Sequence, residues 1–259
     1  MKRLLVTGGT GVLGSQVVRR AAEAGWTVRS LSRGSKPAHP AGEWVQADLV
    51  TGQGVEEAVR GIDVIIHCAS LFGREQPASA GEGSAPLLAA ARRAGVANFI
   101  YTSIAGTDRS HYGYYLLKTA EEKALASSGV PHTIIRLTQF HSLVETVLGS
   151  LSRRFGQLSP CGWRFQPLAP EDAADLLIEL AKQPAAGRAP DAGGPEIRTL
   201  DSLAESWMEI TGARKRLIHL PSFGSLSKAW STGINLTPDN PAGSVTWEQW
   251  LRGRHERPG

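Results

Sequence analysis

An apolar run, Leu4-Leu5-Val6, passes directly into Thr7-Gly8-Gly9-Thr10-Gly11-Val12-Leu13-Gly14, and helical spacing follows from Ser15 to Ala24. Glycines at 8, 11 and 14 leave no Cβ where a strand turns into a helix, so another molecule can approach the backbone closely. The free N–H groups at the start of such a helix attract negative charge. Together they predict a cradle for the pyrophosphate of a dinucleotide. In a chain with 29 glycines the string alone means little, and its flanks give it weight. Val17-Val18 and Ala21-Ala22 keep the helical period, Gly25 marks a stop, and Trp26-Thr27-Val28-Arg29-Ser30-Leu31 reads as a second strand. The β-α-β unit closes within about 30 residues, the length the fingerprint requires.

The alternation continues. Strands are expected at Trp44–Ala47, Val64–Cys68, Phe99–Thr102 and Thr133–Leu137, with helices at Gly54–Arg60, Gly83–Ala94 and Tyr114–Ser128. Continuous apolar strands separated by helices predict the α/β class, a doubly wound parallel sheet covered on both faces. We expect a nucleotide-binding domain over 1–137 and a smaller substrate lobe over 138–259, folded over the carboxyl edge of the sheet. In the second half Pro and Gly become frequent and one helix reads clearly, Pro170–Ala181, with an acidic first turn that suits the helix dipole. That helix is expected to pack back on the first domain. Trp163, Trp207, Trp230, Trp247 and Trp250 either line a substrate site there or fill a small core.

Length and composition narrow the class. A chain of 259 residues with 41% hydrophobic residues can build a substantial core. Cys68 and Cys161 have no metal-ligand spacing and form no disulfide framework, so no metal is expected and a reducing cytoplasm is the simpler setting. No apolar run approaches the ~20 residues that span a bilayer, and the N-terminus enters a strand at once rather than a signal peptide. The net charge of +4 is spread along the chain, and Arg153-Arg154 and Arg214-Lys215-Arg216 read as solvated turns or helix ends. The expected partner is a small-molecule substrate, with neither nucleic acid nor membrane.

The second strand leads into Ser32-Arg33-Gly34-Ser35-Lys36, which has two cations and no carboxylate. An acidic residue here would bind the ribose 2′-OH of NAD, whereas an Arg accommodates a 2′-phosphate. Arg33 offers a planar fork for that phosphate, with Ser32, Ser35 or Lys36 as further donors, and NADP(H) is favoured over NAD(H). For chemistry, Tyr114 and Lys118 lie four apart and share a helical face, where a lysine charge makes a tyrosine a better proton donor. Ser103, at the end of the fifth strand, is placed to hydrogen-bond a substrate oxygen. Tyr115 is an alternative to Tyr114. His111 and His141 are the histidines nearest the expected cleft, and His141 acts there either as an acid or by shaping the pocket.

These segments, with Asp48-Leu49, His67-Cys68-Ala69-Ser70, Tyr101-Thr102-Ser103 and Tyr114-x-x-x-Lys118, resemble the atypical short-chain dehydrogenase/reductases, and within them the NmrA-like NAD(P)-binding proteins. The resemblance implies a Rossmann-type fold in which Gly8, Thr10, Gly11, Val12, Leu13 and Gly14 contact the pyrophosphate. It implies that Asp48 and Leu49 flank the adenine and that Cys68, Ala69 and Ser70 line the ribose and nicotinamide side. Thr102 and Ser103 would close the cleft below, Lys118 would hold the ribose, and Gln139, Phe140 and His141 would pass beside the nicotinamide. The implied activity is NAD(P)H-dependent reduction of a small apolar carbonyl, quinone or enone. The connection of 11 residues from Ser103 to Tyr114 is short for active members of that family. Two alternatives therefore stand beside it: a non-catalytic NADP(H)-binding redox sensor, and epimerase or dehydratase chemistry.

Overall fold

The computed structural model describes residues 2–34, 42–69 and 84–255. They form two compact units, each assembled from separate stretches of chain. The first comprises Met1–Ser103, Leu116–Ile135 and Ala173–Ala189, and the second Ile104–Tyr115, Arg136–Asp172 and Pro190–Gly259.

In chain order the elements are β1 (Arg3–Thr7), α1 (Val12–Glu23), β2 (Thr27–Ser32), β3 (Glu43–Gln46), α2 (Val55–Val59), β4 (Val64–His67), α3 (Ala85–Ala94), β5 (Asn98–Ile104), α4 (Gly113–Ser127) and β6 (His132–Leu137). Then come α5 (His141–Leu151), β7 (Ser152–Arg153), β8 (Gly156–Pro160), β9 (Arg164–Phe165), α6 (Pro170–Lys182), β10 (Gly187–Arg188), β11 (Arg198–Thr199), α7 (Leu200–Thr211), β12 (Leu217–Leu220), α8 (Gly224–Thr232) and α9 (Trp247–His255). None of the described helices is long and apolar enough to cross a membrane.

Seven strands form one parallel sheet in the order β10-β6-β5-β4-β1-β2-β3. Leu4 of β1 lies opposite Val28 on one side and Val64 on the other. The chain runs outward from β1 through β2 and β3, then returns to the far side of β1 with β4. In open α/β sheets ligands bind at such a switch point, beyond the carboxyl ends of the strands. The central strands are apolar at consecutive positions because helices cover both faces, and Leu4, Leu5, Val6, Ile65, Ile66 and Ile100 are fully enclosed. On one face Leu5, Ile65 and Phe99 pack with Val55 and Ala58 of α2 and with Leu87 and Ala91 of α3. Arg29 is buried on β2 and serves the fold: it pairs with Glu43 at 2.8 Å and donates to the carbonyls of Ala58 and Arg60 at the end of α2. Those carbonyls have no intrahelical partner of their own.

In the second unit β8 pairs parallel with β12 and antiparallel with β7, and β9 pairs antiparallel with β11. Four helices stand here where sequence periodicity gave none: α5, α7, α8 and α9. Their apolar faces converge on one core, where Leu148, Phe165, Leu203, Trp230, Trp247 and Leu251 pack together and Trp163, Trp207 and Trp250 lie against them. All five tryptophans therefore serve the core of this unit, the second of the two roles expected for them.

Among the described residues two histidines are buried, one in each unit. The Nδ1 of His67 lies 2.7 Å from Thr7 Oγ1, and burial, aided by the positive charge of Lys118, lowers its pKa to about 3. His141 has no exposed surface, stacks with Trp247 and Trp250 at 5.8 and 5.4 Å, and has no hydrogen-bond partner among the described residues on either ring nitrogen. Burial lowers its pKa to about 4. In both cases the folded pKa lies below that of the unfolded chain, which therefore takes up protons first as the pH falls. Stability is complete above about pH 7 and declines from about pH 6.5 downward, by roughly 1.4 kcal/mol per pH unit for each histidine. Urea midpoints measured from pH 7.5 to 4 are expected to fall accordingly. In His141→Phe, which replaces an unpartnered imidazole by an apolar ring, the decline is halved and stability at pH 7 is unchanged or about 1 kcal/mol higher.

Candidate dinucleotide site

The turn after β1 is held by a 2.8 Å hydrogen bond from the Gly11 N–H to the Gly8 carbonyl. Gly8 has a φ of +68°, and a Cβ there would stand 2.9 Å from the backbone of Ala69, across the switch point. A Cβ on Gly14 would collide with the Gly8 carbonyl. Helix α1 begins at Val12 with Gly11 as its N-cap, no side chain caps it, and no carboxylate sits in its first turn. Its leading N–H groups and partial positive charge are therefore left to an outside anion. Thr10, Gly11 and Val12 are exposed, whereas Leu13 and Gly14 are buried beneath them.

The neighbouring strand ends complete the rim. Ala69, just past β4, donates its N–H to Thr7 Oγ1 at 3.2 Å, which ties β4 to β1. Arg33 is exposed past the end of β2, while Ser32 Oγ accepts from Trp44 Nε1 at 3.1 Å. Asp48, past β3, turns its carboxylate onto its own loop, accepting from the Val50 N–H at 2.8 Å. Leu49 is buried in the core of the first unit. Ser35, Lys36 and Ser70 lie outside the described residues.

At the carboxyl end of β5, Thr102 Oγ1 donates to the His67 carbonyl at 2.9 Å. The next hydroxyl, Ser103 Oγ, is buried and has no hydrogen-bond partner among the described residues. Beside it, Lys118 on α4 is buried and donates to Tyr101 Oη at 2.8 Å, the Thr102 carbonyl at 3.2 Å and Glu121 Oε2 at 3.4 Å. Tyr101 in turn donates its hydroxyl to Glu121. An ammonium has three N–H donors, so this cluster uses all of them. That Tyr101 and Glu121 engage Lys118 was not expected from the sequence. The one available signal was the i,i+3 spacing of Lys118 and Glu121 on a helix. Cys68 is no nucleophile, since burial pushes its thiol up to about 12 against the opposing pull of Lys118.

The remaining expected residues belong to the second unit. Tyr114 is half-buried on the first turn of α4, Tyr115 is buried with its pKa raised by burial, and His111 is exposed. Gln139 exchanges hydrogen bonds with Asn235, each at 3.2 Å, and Phe140 is the N-cap of α5. His141 is buried against the two tryptophans, which also pack on each other at 5.6 Å, a placement that suits packing rather than proton exchange with a substrate.

A Cβ-free turn at the switch point, an uncapped helix start and an orphaned hydroxyl fit a dinucleotide, so the fold and the site define a Rossmann-type dinucleotide-binding protein. The chain belongs to the NAD(P)H-binding family, whose model matches residues 8–156. It is 28% identical to the ceramide reductase of Caulobacter vibrioides over 261 residues, covering 89% of this chain and 78% of that protein. It is 34% identical to the photosystem II assembly factor Ycf39 of Cyanophora paradoxa over 146 residues, covering 53% of this chain and 45% of that protein. The chain likewise spans less than half the length of several further relatives. The NADPH-dependent quinone oxidoreductase of Escherichia coli, solved with NADPH, shares the fold with a TM-score of 0.80 at 17% identity, covering 97% of this chain and 99% of that one.

Proposed function

We propose that this protein binds NADP(H) and reduces a small apolar carbonyl, quinone or enone. The observation that carries the reading is the buried Ser103 hydroxyl, unpartnered among the described residues, beside the charged Lys118 cluster at the carboxyl end of β5. The cofactor, when bound, supplies a hydride. Gly8, Thr10, Gly11, Val12, Leu13 and Gly14 hold its pyrophosphate, Arg33 pairs with the 2′-phosphate, and Ser103 donates a hydrogen bond to the substrate oxygen. Tyr114, one turn before Lys118, gives a proton to the oxygen as negative charge develops there. Lys118 assists through its charge, because its three donors are already engaged. The names of the ceramide reductase and the quinone oxidoreductase support reduction as the reaction class.

Tyr114→Phe is expected to lower NADPH oxidation with a panel of quinones, enones and aldehydes by about 100-fold or more, with NADPH affinity unchanged. Equal rates would remove Tyr114 from the mechanism. Arg33→Ala is expected to weaken NADPH about tenfold and leave NADH unaffected, as loss of one charge-assisted phosphate contact requires. Equal losses for both cofactors would end the preference for NADP(H).

A second reading rests on the saturation of Lys118, which leaves it no N–H for Tyr114 or for a ribose. On that reading the protein binds NADP(H) as a redox sensor without turnover. Its mark is wild-type protein inert toward the whole panel, with oxidised and reduced cofactor bound at clearly different affinities.

A further inference from the structure

The second unit carries five cations that nothing in the cofactor site uses. β7 and β8 are joined by a two-residue turn, Arg154-Phe155, and β12 enters alongside β8 from Arg214-Lys215-Arg216. The pairing brings both basic runs to one end of the three-stranded sheet. Gly156 lies opposite Arg153 in the ladder, and the N–H of Gln157 bonds the Arg216 carbonyl at 2.9 Å. Lys215 reaches Ser152 Oγ at 2.5 Å. Among the described residues none of these five cations forms an ion pair, whereas Arg29, Arg136 and Arg198 elsewhere each do. Segments 152–158 and 212–220 contain no carboxylate. Lys and Arg outnumber Asp and Glu by 28 to 24 in the whole chain, so without these five the balance would be slightly negative.

Apolar groups stand in the middle of this charge. Phe155 is 83% exposed at the turn, and Ile218, exposed on β12, lies over Gly156, where an added Cβ would strike its side chain. A phenyl group held out in water gains nothing in the folded protein. We propose that this end of the sheet docks on the surface of an anionic lipid bilayer, with Phe155 and Ile218 entering the headgroup region and the five cations meeting lipid phosphates. Cations around inserted aromatic and aliphatic side chains are the chemistry of interfacial binding. Single-stranded nucleic acid fits less well, because the Arg154 guanidinium lies 5.4 Å over the Phe155 ring and occupies a face on which a base would stack. The proposal departs from the expectation of no membrane partner and is independent of the cofactor reading.

The test is co-sedimentation of the full chain, without cofactor, on vesicles of phosphatidylcholine alone or with 30% phosphatidylglycerol, a composition of roughly physiological charge. The wild type is expected to bind the anionic vesicles, to be released by 0.5 M salt as screening requires, and to ignore the neutral ones. Each cation contributes about fivefold to the partition coefficient, so Arg153→Glu/Arg214→Glu/Arg216→Glu is expected to abolish binding. Phe155→Ser is expected to weaken it about tenfold, as loss of one inserted ring. Both variants alter exposed side chains, and unchanged circular dichroism melts check that they fold. Absence of wild-type binding to anionic vesicles, or equal binding by the charge-reversed variant, overturns the proposal. So does tighter binding of a single-stranded oligonucleotide through the same residues.

Discussion

Gly14→Ala is expected to weaken NAD(P)H binding by at least about 100-fold, read from nicotinamide fluorescence, which by the usual conversion is about 2.7 kcal/mol. The added methyl has nowhere to go, because the atom in its way is the Gly8 carbonyl oxygen, a backbone group fixed by the Gly11 N–H at 2.8 Å. Relief requires α1 to move away from the turn, which opens the hydrogen bond and withdraws the N–H groups of the helix start from the anion they serve. The folded protein also loses about 1–3 kcal/mol from overpacking, so the denaturation midpoint falls in the same variant. The two effects separate by thermal shift: excess NADPH raises the Tm of the wild type through mass action but leaves that of Gly14→Ala nearly unchanged. Gly14→Ala protein that is stabilised by NADPH as strongly as the wild type would show that the turn does not hold the pyrophosphate.

Lys118→Met is expected to be the most destabilising substitution in the first unit, at about 3–5 kcal/mol in urea denaturation. The charge removed is the internal partner of Glu121, whose side chain is only 6% exposed, and the Tyr101 hydroxyl alone remains to satisfy that carboxylate. Taking one member of a buried pair is costly because the other remains charged in a low-dielectric surrounding. Taking both is not. Lys118→Met/Glu121→Leu is therefore expected to recover most of the loss, and the double-mutant cycle reads the coupling directly. Losses that add instead of compensating would mean that Lys118 and Glu121 act independently. The cycle also bears on catalysis: if the stable double variant binds NADPH normally but no longer reduces any substrate, the charge of Lys118 is needed for chemistry and not merely for the fold.

The sheet was legible because burial on both faces leaves a plain record. Leu4-Leu5-Val6 and Val64-Ile65-Ile66 are apolar at every position, and glycines interrupt them where the backbone turns. The second unit left a weaker one. Helix α7 carries local signals that were there to be read: Thr199 Oγ1 caps it by accepting from the Ser202 N–H, and Gly212 ends it at a φ of +72°. Helix α9 buries Trp247 and Leu251 in the core and lays Trp250 against it, among charged residues, so its period is too sparse to recognise alone. The partners of Lys118 illustrate a different limit. Tyr101 lies on a strand 17 residues earlier, and only the packing of α4 beside β5 brings its hydroxyl to the ammonium. The enclosure of His141 is equally non-local, since both stacked tryptophans come from the last helix.

The division of each unit among separate stretches of chain has a consequence for synthesis. Central strand β1 leaves the ribosome before the other described strands, yet its sheet gains its edge member, Gly187–Arg188, only after the other six strands have followed. Until then the β6 edge, with its backbone N–H and carbonyl groups, lacks its neighbour, and the α6 residues Ala173–Lys182 have not joined the first unit. An unpaired strand edge is the surface on which nascent chains associate wrongly. The glycine turn after β1 thus emerges well over 150 residues before the unit that carries it can be completed.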